Sequence, residues 1–196
     1  MAWSRVTRMT IPETNHQTAQ ATTAPVLRRI AAVALDYVAA LLYLGVLRLA
    51  VFLVPQLMRW FDGLSTAHLA SFFLVTLPIS LYFAVSEAST AEATVGKRLM
   101  RIRVQSWNGT RLTLAASLVR TAIKFTPWEL GHAAVWRFHF AAGNAAQERI
   151  ATAFLIATWV LVAVYLACLA VDKGRRTPYD LAARSIVVRD PETATR

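Results

Sequence analysis

Cysteine is almost absent from this chain. The lone Cys168 excludes an internal disulfide and gives no framework for a metal site. Charge is scarce too: 16% of residues are charged against 56% hydrophobic, a balance too apolar for an ordinary soluble domain of 196 residues. The few charges are mostly basic, 21 Lys and Arg against 11 Asp and Glu. A net charge of +10 is compatible with nucleic acid, but the cations cluster beside apolar blocks, as the flanks of membrane-spanning helices do. No nucleic-acid partner is therefore expected. Residues 1–24 lack the apolar region of a signal peptide and read as a disordered cytoplasmic tail. Gly96-Lys97 lacks the upstream glycine of a phosphate loop, and no Ser/His/Asp or Cys/His arrangement has supporting context. An enzyme is not expected, nor a cofactor.

What is present is a series of apolar runs. Residues 30–54 follow two arginines, and a run of that length spans about 30 Å of hydrocarbon as a helix. Ala32, Asp36, Ala39, Ala40 and Tyr43 recur within it at three- and four-residue steps. They form a small and polar stripe suited to close helix packing. A second span covers 69–86, where Pro78 predicts a kink whose freed backbone groups turn to Thr76 and Ser80. Residues 115–136 are apolar but interrupted by Arg120, Lys124, Pro127, Glu129 and His132, and 150–171 is a clean run without charge. Between the second and third blocks, Arg101-Ile102-Arg103-Val104 alternates with period two and Asn108-Gly109 signals a turn, predicting a hairpin of 101–106 with 110–114. Ser185–Arg189 is a candidate third strand. Asn108-Gly109-Thr110 also matches a glycosylation acceptor, which the hairpin turn explains better. The expected fold is an all-α integral membrane bundle of about four helices with a small cytoplasmic β-hairpin or three-stranded element, over residues 25–190, followed by a tail, 191–196.

Cation positions predict the topology. Four Lys and Arg precede the first span, seven lie from Lys97 to Lys124, and six from Lys173 onward. Both termini and the 87–114 segment then lie in the cytoplasm of a plasma-membrane protein, which needs an even number of crossings, so 115–136 must span. The rival is three spans with 115–136 lying along the inner face. Anionic lipid head groups are expected partners of the cations. Four short helices leave little room for a pathway, so a homo-oligomer or a membrane-protein partner is expected as well.

Several residues are candidates for chemistry. Arg29 and Asp36 share a helix face but sit about 10 Å apart along the axis, too far for a direct bridge. Asp36 is expected to meet a cation from another segment, with Arg120, Lys124, Arg175 and Arg176 as candidates. It is then either a proton- or cation-binding carboxylate or half of a buried ion pair that fixes helix register. Thr177-Pro178-Tyr179-Asp180 reads as an N-cap, a proline at the first helical position and a carboxylate at the third. Asp180 is a helix cap or a gate beneath Asp36. Glu129 and His132, one turn apart behind Pro127, are a candidate proton relay. His139 follows His132 without a further ligand to complete a metal site.

Arg29 with Asp36, then GKRLMRIRVQSWNG, then RRTPYDLAARSIVV resemble the RDD family of bacterial membrane proteins, over about 28–190. The resemblance implies that Arg29, Asp36 and Asp180 are the family's namesake arginine and two aspartates. Members often carry a histidine before the last aspartate, where this chain has Tyr179. It also implies ion- or proton-coupled exchange as one function; the other reading is a scaffold or accessory subunit whose buried charges only fix packing.

Overall fold

The computed structural model describes residues 23–172 and 175–190. The expected tails therefore lie outside the described residues, except that Thr23 and Ala24 are bound in the fold. The chain is a helical bundle with a two-stranded sheet at one end. Helix α1 covers Val26–Leu53, and a 3-10 turn covers Pro55–Phe61. The next long helix comprises α2 (Leu64–Ser71), a π-helical turn (Phe72–Thr76) and α3 (Leu77–Ala88). After these come α4 (Val95–Leu99), β1 (Ile102–Ser106), α5 (Leu114–Ala141), α6 (Ala145–Val171), α7 (Pro178–Ala182) and β2 (Ser185–Arg189).

Three helices, Val26–Leu53, Leu64–Ala88 and Ala145–Val171, are long and apolar enough to cross a membrane. Their apolar surface points outward: Leu42 on α1 is 69% exposed and Trp159 on α6 is 65% exposed. Water would penalise so much apolar surface, and hydrocarbon would not. The stretch read as irregular between 115 and 136 is one continuous helix of 28 residues. Its turn onto α6 needs only Ala142–Asn144, with Gly143 at φ 83° and Asn144 capping α6 through its side-chain oxygen. The two helices run antiparallel: Tyr165 meets Ile123, Thr158 lies beside Gly131, and the Arg137 guanidinium sits 4.5 Å from the Phe154 ring centroid.

Both intrahelical prolines are compensated in the same way. Proline has no N–H, so the carbonyl four residues earlier loses its helical donor. For Pro78 that carbonyl is Leu74, and the Tyr43 hydroxyl of α1 donates to it at 2.6 Å. For Pro127 it is Ile123, which accepts from the Tyr165 hydroxyl of α6, also at 2.6 Å. Thr76 and Ser80 do not take that role at Pro78. Thr76 is turned to other partners, and a hydroxyl from a facing helix reaches the open carbonyl.

The sheet differs from the expected hairpin. β1 pairs antiparallel with β2, Ile102 opposite Arg189 and Ser106 opposite Ser185. Beyond the Asn108-Gly109 turn, the chain makes one bridge, Arg111 with Gln105. It then enters α5, whose first turn is capped by the Thr113 hydroxyl accepting from the Ala116 N–H. Of the four residues between the turn and the helix, Thr113 is already spent as the N-cap, and the ladder stops at the Arg111 bridge. On the other side Thr23 bridges Val188. Thr23 thus touches the outer edge of β2, and Arg111 that of β1, where the Val104 N–H also donates to the Glu92 carbonyl at 2.8 Å. Ile102, Val104 and Val187 point from the sheet onto Ala24, Ala32 and Leu112, forming a small core against the start of α1.

Candidate functional site

Polar side chains gather at two levels of the bundle. The first lies at the sheet end, where α1, α3, α4, α5 and α7 converge. Glu87, fully buried near the end of α3, pairs with both Lys97 of α4 and Arg120 of α5. Arg120 also pairs with Asp180 of α7, its Nη2 donating at 2.7 Å and its Nε at 3.0 Å to the same oxygen. The other Asp180 oxygen accepts from the Thr177 N–H at 3.1 Å and the Thr177 hydroxyl at 2.8 Å, and faces Arg29 Nη1 at 3.5 Å. Arg29 donates in addition to the backbone carbonyls of Arg175 and Val187. One ionic chain, Lys97–Glu87–Arg120–Asp180–Arg29, thereby ties five helices together. The Tyr179 ring covers Arg120, with 5.1 Å between the guanidinium carbon and the ring centroid.

Electrostatics at this level follow from burial and pairing. Burial alone would raise the Asp180 carboxyl, but Arg120 and Arg29, with the Thr177 N–H, hold it below its usual value. Burial pulls the Lys97 ammonium down, against the attraction of Glu87.

Asp36 sits beside this chain without joining it. Its carboxylate accepts from the Tyr82 hydroxyl at 3.1 Å, the Thr94 hydroxyl at 2.6 Å and the Gly96 N–H at 2.9 Å. The Tyr82 hydroxyl accepts in turn from the Val95 N–H at 2.9 Å. The free N–H groups opening α4 are therefore satisfied from α1 and α3. The expected cationic partner is absent among the described residues. Arg120 is taken by Glu87 and Asp180, Arg175 gives Arg29 a carbonyl, and Arg176 pairs with Asp172 at 3.0 Å. Lys124 lies over the Phe83 ring, 3.5 Å from its centroid, and shares with Asp36 the lining of a cavity of about 40 Å³. Neutral donors suffice because α4 presses so close. A Cβ on Gly96 would lie 2.2 Å from the Ala32 carbonyl oxygen. That contact makes use of the small-residue stripe of α1.

The second level lies halfway along α5. Glu129 is flanked by His68 of α2 (Nε2 to Oε2, 3.4 Å) and His132 of its own helix (Nδ1 to Oε1, 3.5 Å). The Thr76 hydroxyl, at the end of the π-helical turn, donates to Glu129 and accepts from the Trp128 indole N–H at 3.2 Å. One turn further from the sheet, the Trp136 indole donates to Ser71 at 2.8 Å, and the Trp136 ring stacks on Phe61. π-Turns occur frequently at functional sites. A chamber of about 440 Å³ opens beside Glu129, between the α2–α3 helix and α5.

The sequence-derived pair Glu129 and His132 thus lies together, and His68 and Thr76 complete it. His68 is hidden from the sequence because it falls in what reads as a loop, although α2 begins at Leu64. Glu87 and Lys97 are likewise missed as site residues. Glu87 continues the buried Ile79–Phe83 stripe at a four-residue step, a periodicity that could have found it.

Apolar helices enclosing buried charge define an integral membrane protein. The chain belongs to the RDD family, whose model matches residues 23–184. No curated protein and no solved structure matches it.

Proposed function

We propose that this chain is a four-span plasma-membrane transporter that couples its substrate to protons, with Glu129, His68 and His132 as the proton-handling centre. One observation carries the reading: a carboxylate held between imidazoles from two helices, at a π-turn beside a chamber. Glu129 is fifteen residues from one end of α5 and twelve from the other, roughly 22 and 18 Å, which is mid-bilayer depth if α5 crosses. The crossing is supported by its antiparallel partner α6, a helix of 27 residues without internal charge from Ile150 to Val171. With four crossings, the sheet end and both termini face the cytoplasm, in keeping with the cation count. Exposed Arg28, Arg98, Arg101, Arg184 and Arg189 at that end then meet anionic head groups, at about 1 kcal/mol for each well-placed charge.

The test is pH-gradient-driven proton flux in proteoliposomes. The wild-type chain is expected to dissipate the gradient, and Glu129→Gln to abolish this while keeping its thermal stability within about 1 kcal/mol. A second reading, a scaffold without transport, is favoured by the sheet-end network, where both Glu87 oxygens and both Asp180 oxygens are engaged. Absence of flux from folded wild-type protein would leave the scaffold reading standing.

A further inference from the structure

The chamber beside Glu129 has features that proton transfer alone does not require. It extends along α5 from Leu118 to Ala133 and is walled mostly by apolar side chains, among them Leu81, Phe125 and Phe72. Glu129 and His68 mark one part of it. Toward the other lies Thr121, 2% exposed, whose hydroxyl has no hydrogen-bond partner among the described residues. An unpaired hydroxyl in an apolar wall is costly and calls for a partner. Thr121 and Glu129 are eight residues apart on one helix, so they stand roughly 12 Å apart along its axis. The faces turned to Glu129 carry His68 on α2, Thr76 on the π-turn, and Trp128 and His132 on α5. From α6 the chamber receives Phe154.

Resting on the proton-coupled reading, we propose that the chamber binds an elongated organic cation: an ammonium head on Glu129, an apolar body along Phe125, and a polar group reaching Thr121. The ammonium supplies N–H donors to the carboxylate, and the far polar group gives the Thr121 hydroxyl its missing partner. Cation and proton compete for one carboxylate. An arriving ammonium takes the place of a proton held at this centre, and that proton passes to water, one positive charge for another.

The probe is aminooctanol, compared with octylamine and uncharged octanediol, added to the full-length protein in detergent while thermal unfolding is followed. Ligand bound only by the folded state raises the apparent Tm. Aminooctanol is expected to raise it, and to do so less in acid, where protons compete with the ammonium, and octanediol is expected to leave it unchanged. Glu129→Gln is expected to abolish the aminooctanol shift. Thr121→Val is expected to weaken aminooctanol roughly tenfold while leaving octylamine within about twofold, as loss of one buried hydrogen bond dictates. No shift in wild type, an equal shift with octanediol, or an undiminished shift in Glu129→Gln would overturn the proposal. Proton flux that persists without any amine response would overturn it and leave the proton-coupled reading intact. Amine binding without flux would sink transport alone.

Discussion

Residue-scale chemistry here is dominated by single atoms that proline and glycine remove. Tyr43 and Tyr165 each supply an O–H to a carbonyl whose helical donor a proline lacks. In hydrocarbon no water takes over that role. Tyr43→Phe is expected to cost about 1–3 kcal/mol, the penalty of a buried unsatisfied acceptor. In a Pro78→Ala background the returned backbone N–H competes for the same carbonyl, so the cost of Tyr43→Phe should shrink. A double-mutant cycle on thermal or denaturant stability measures this, and a coupling near zero would contradict it. Gly96 illustrates the opposite limit. A methyl group there meets backbone at 2.2 Å, and backbone cannot rotate away. Gly96→Ala should therefore push α4 off α1 and lower stability by about 1–3 kcal/mol.

At the scale of elements, the ionic chain works as a clasp. Arg120 is its centre, 2% exposed and bonded to two carboxylates on different segments. Arg120→Ala leaves Glu87 and Asp180 buried without their shared cation and is expected to cost about 3–5 kcal/mol. Acid should loosen the same clasp. Asp180 is held below its ordinary value of 3.8, so in the folded state it releases its proton more readily than in the unfolded chain. Its stabilisation is complete above 3.8 and is lost as pH falls below that value through the depressed folded pKa. Unfolding followed between about pH 5 and pH 2 should show a drop in stability that Asp180→Asn makes shallower. An unchanged slope in that variant would show that other carboxylates set the acid limit.

The whole molecule is a bundle with one ionic end and one aromatic end, and the four crossings proposed above would place the ionic end inside the cell. Reporters at Asn108 and after Arg196 should be cytoplasmic, and reporters at Gly63 or Gly143 should be outside. Gly143 carries the sharper information, since it sits in the turn joining α5 to α6. A cytoplasmic reporter there would mean that the two helices do not cross together. Asp180, Arg29 and the Arg175 carbonyl meet at the ionic end, whereas Arg176 turns to Asp172 and lies over the Trp107 ring at 5.6 Å.

The sequence by itself determined the three helices apolar enough to cross a membrane, because twenty apolar residues in a row have few other destinations. It also determined the cap at Thr177 and the separation of Arg29 from Asp36, both of which depend only on local helical geometry. Tertiary structure decided the partners. Asp36 takes neutral donors because a glycine lets α4 approach, and the strand opposite β1 is Ser185–Arg189 because Thr113 starts a helix too soon for a hairpin. Glu87 became the hub of the clasp, and His68 joined Glu129, through contacts between segments distant in sequence. Periodicity tells which face of a helix is turned inward; it carries no information about what stands opposite, and a buried charge takes its meaning from what stands opposite.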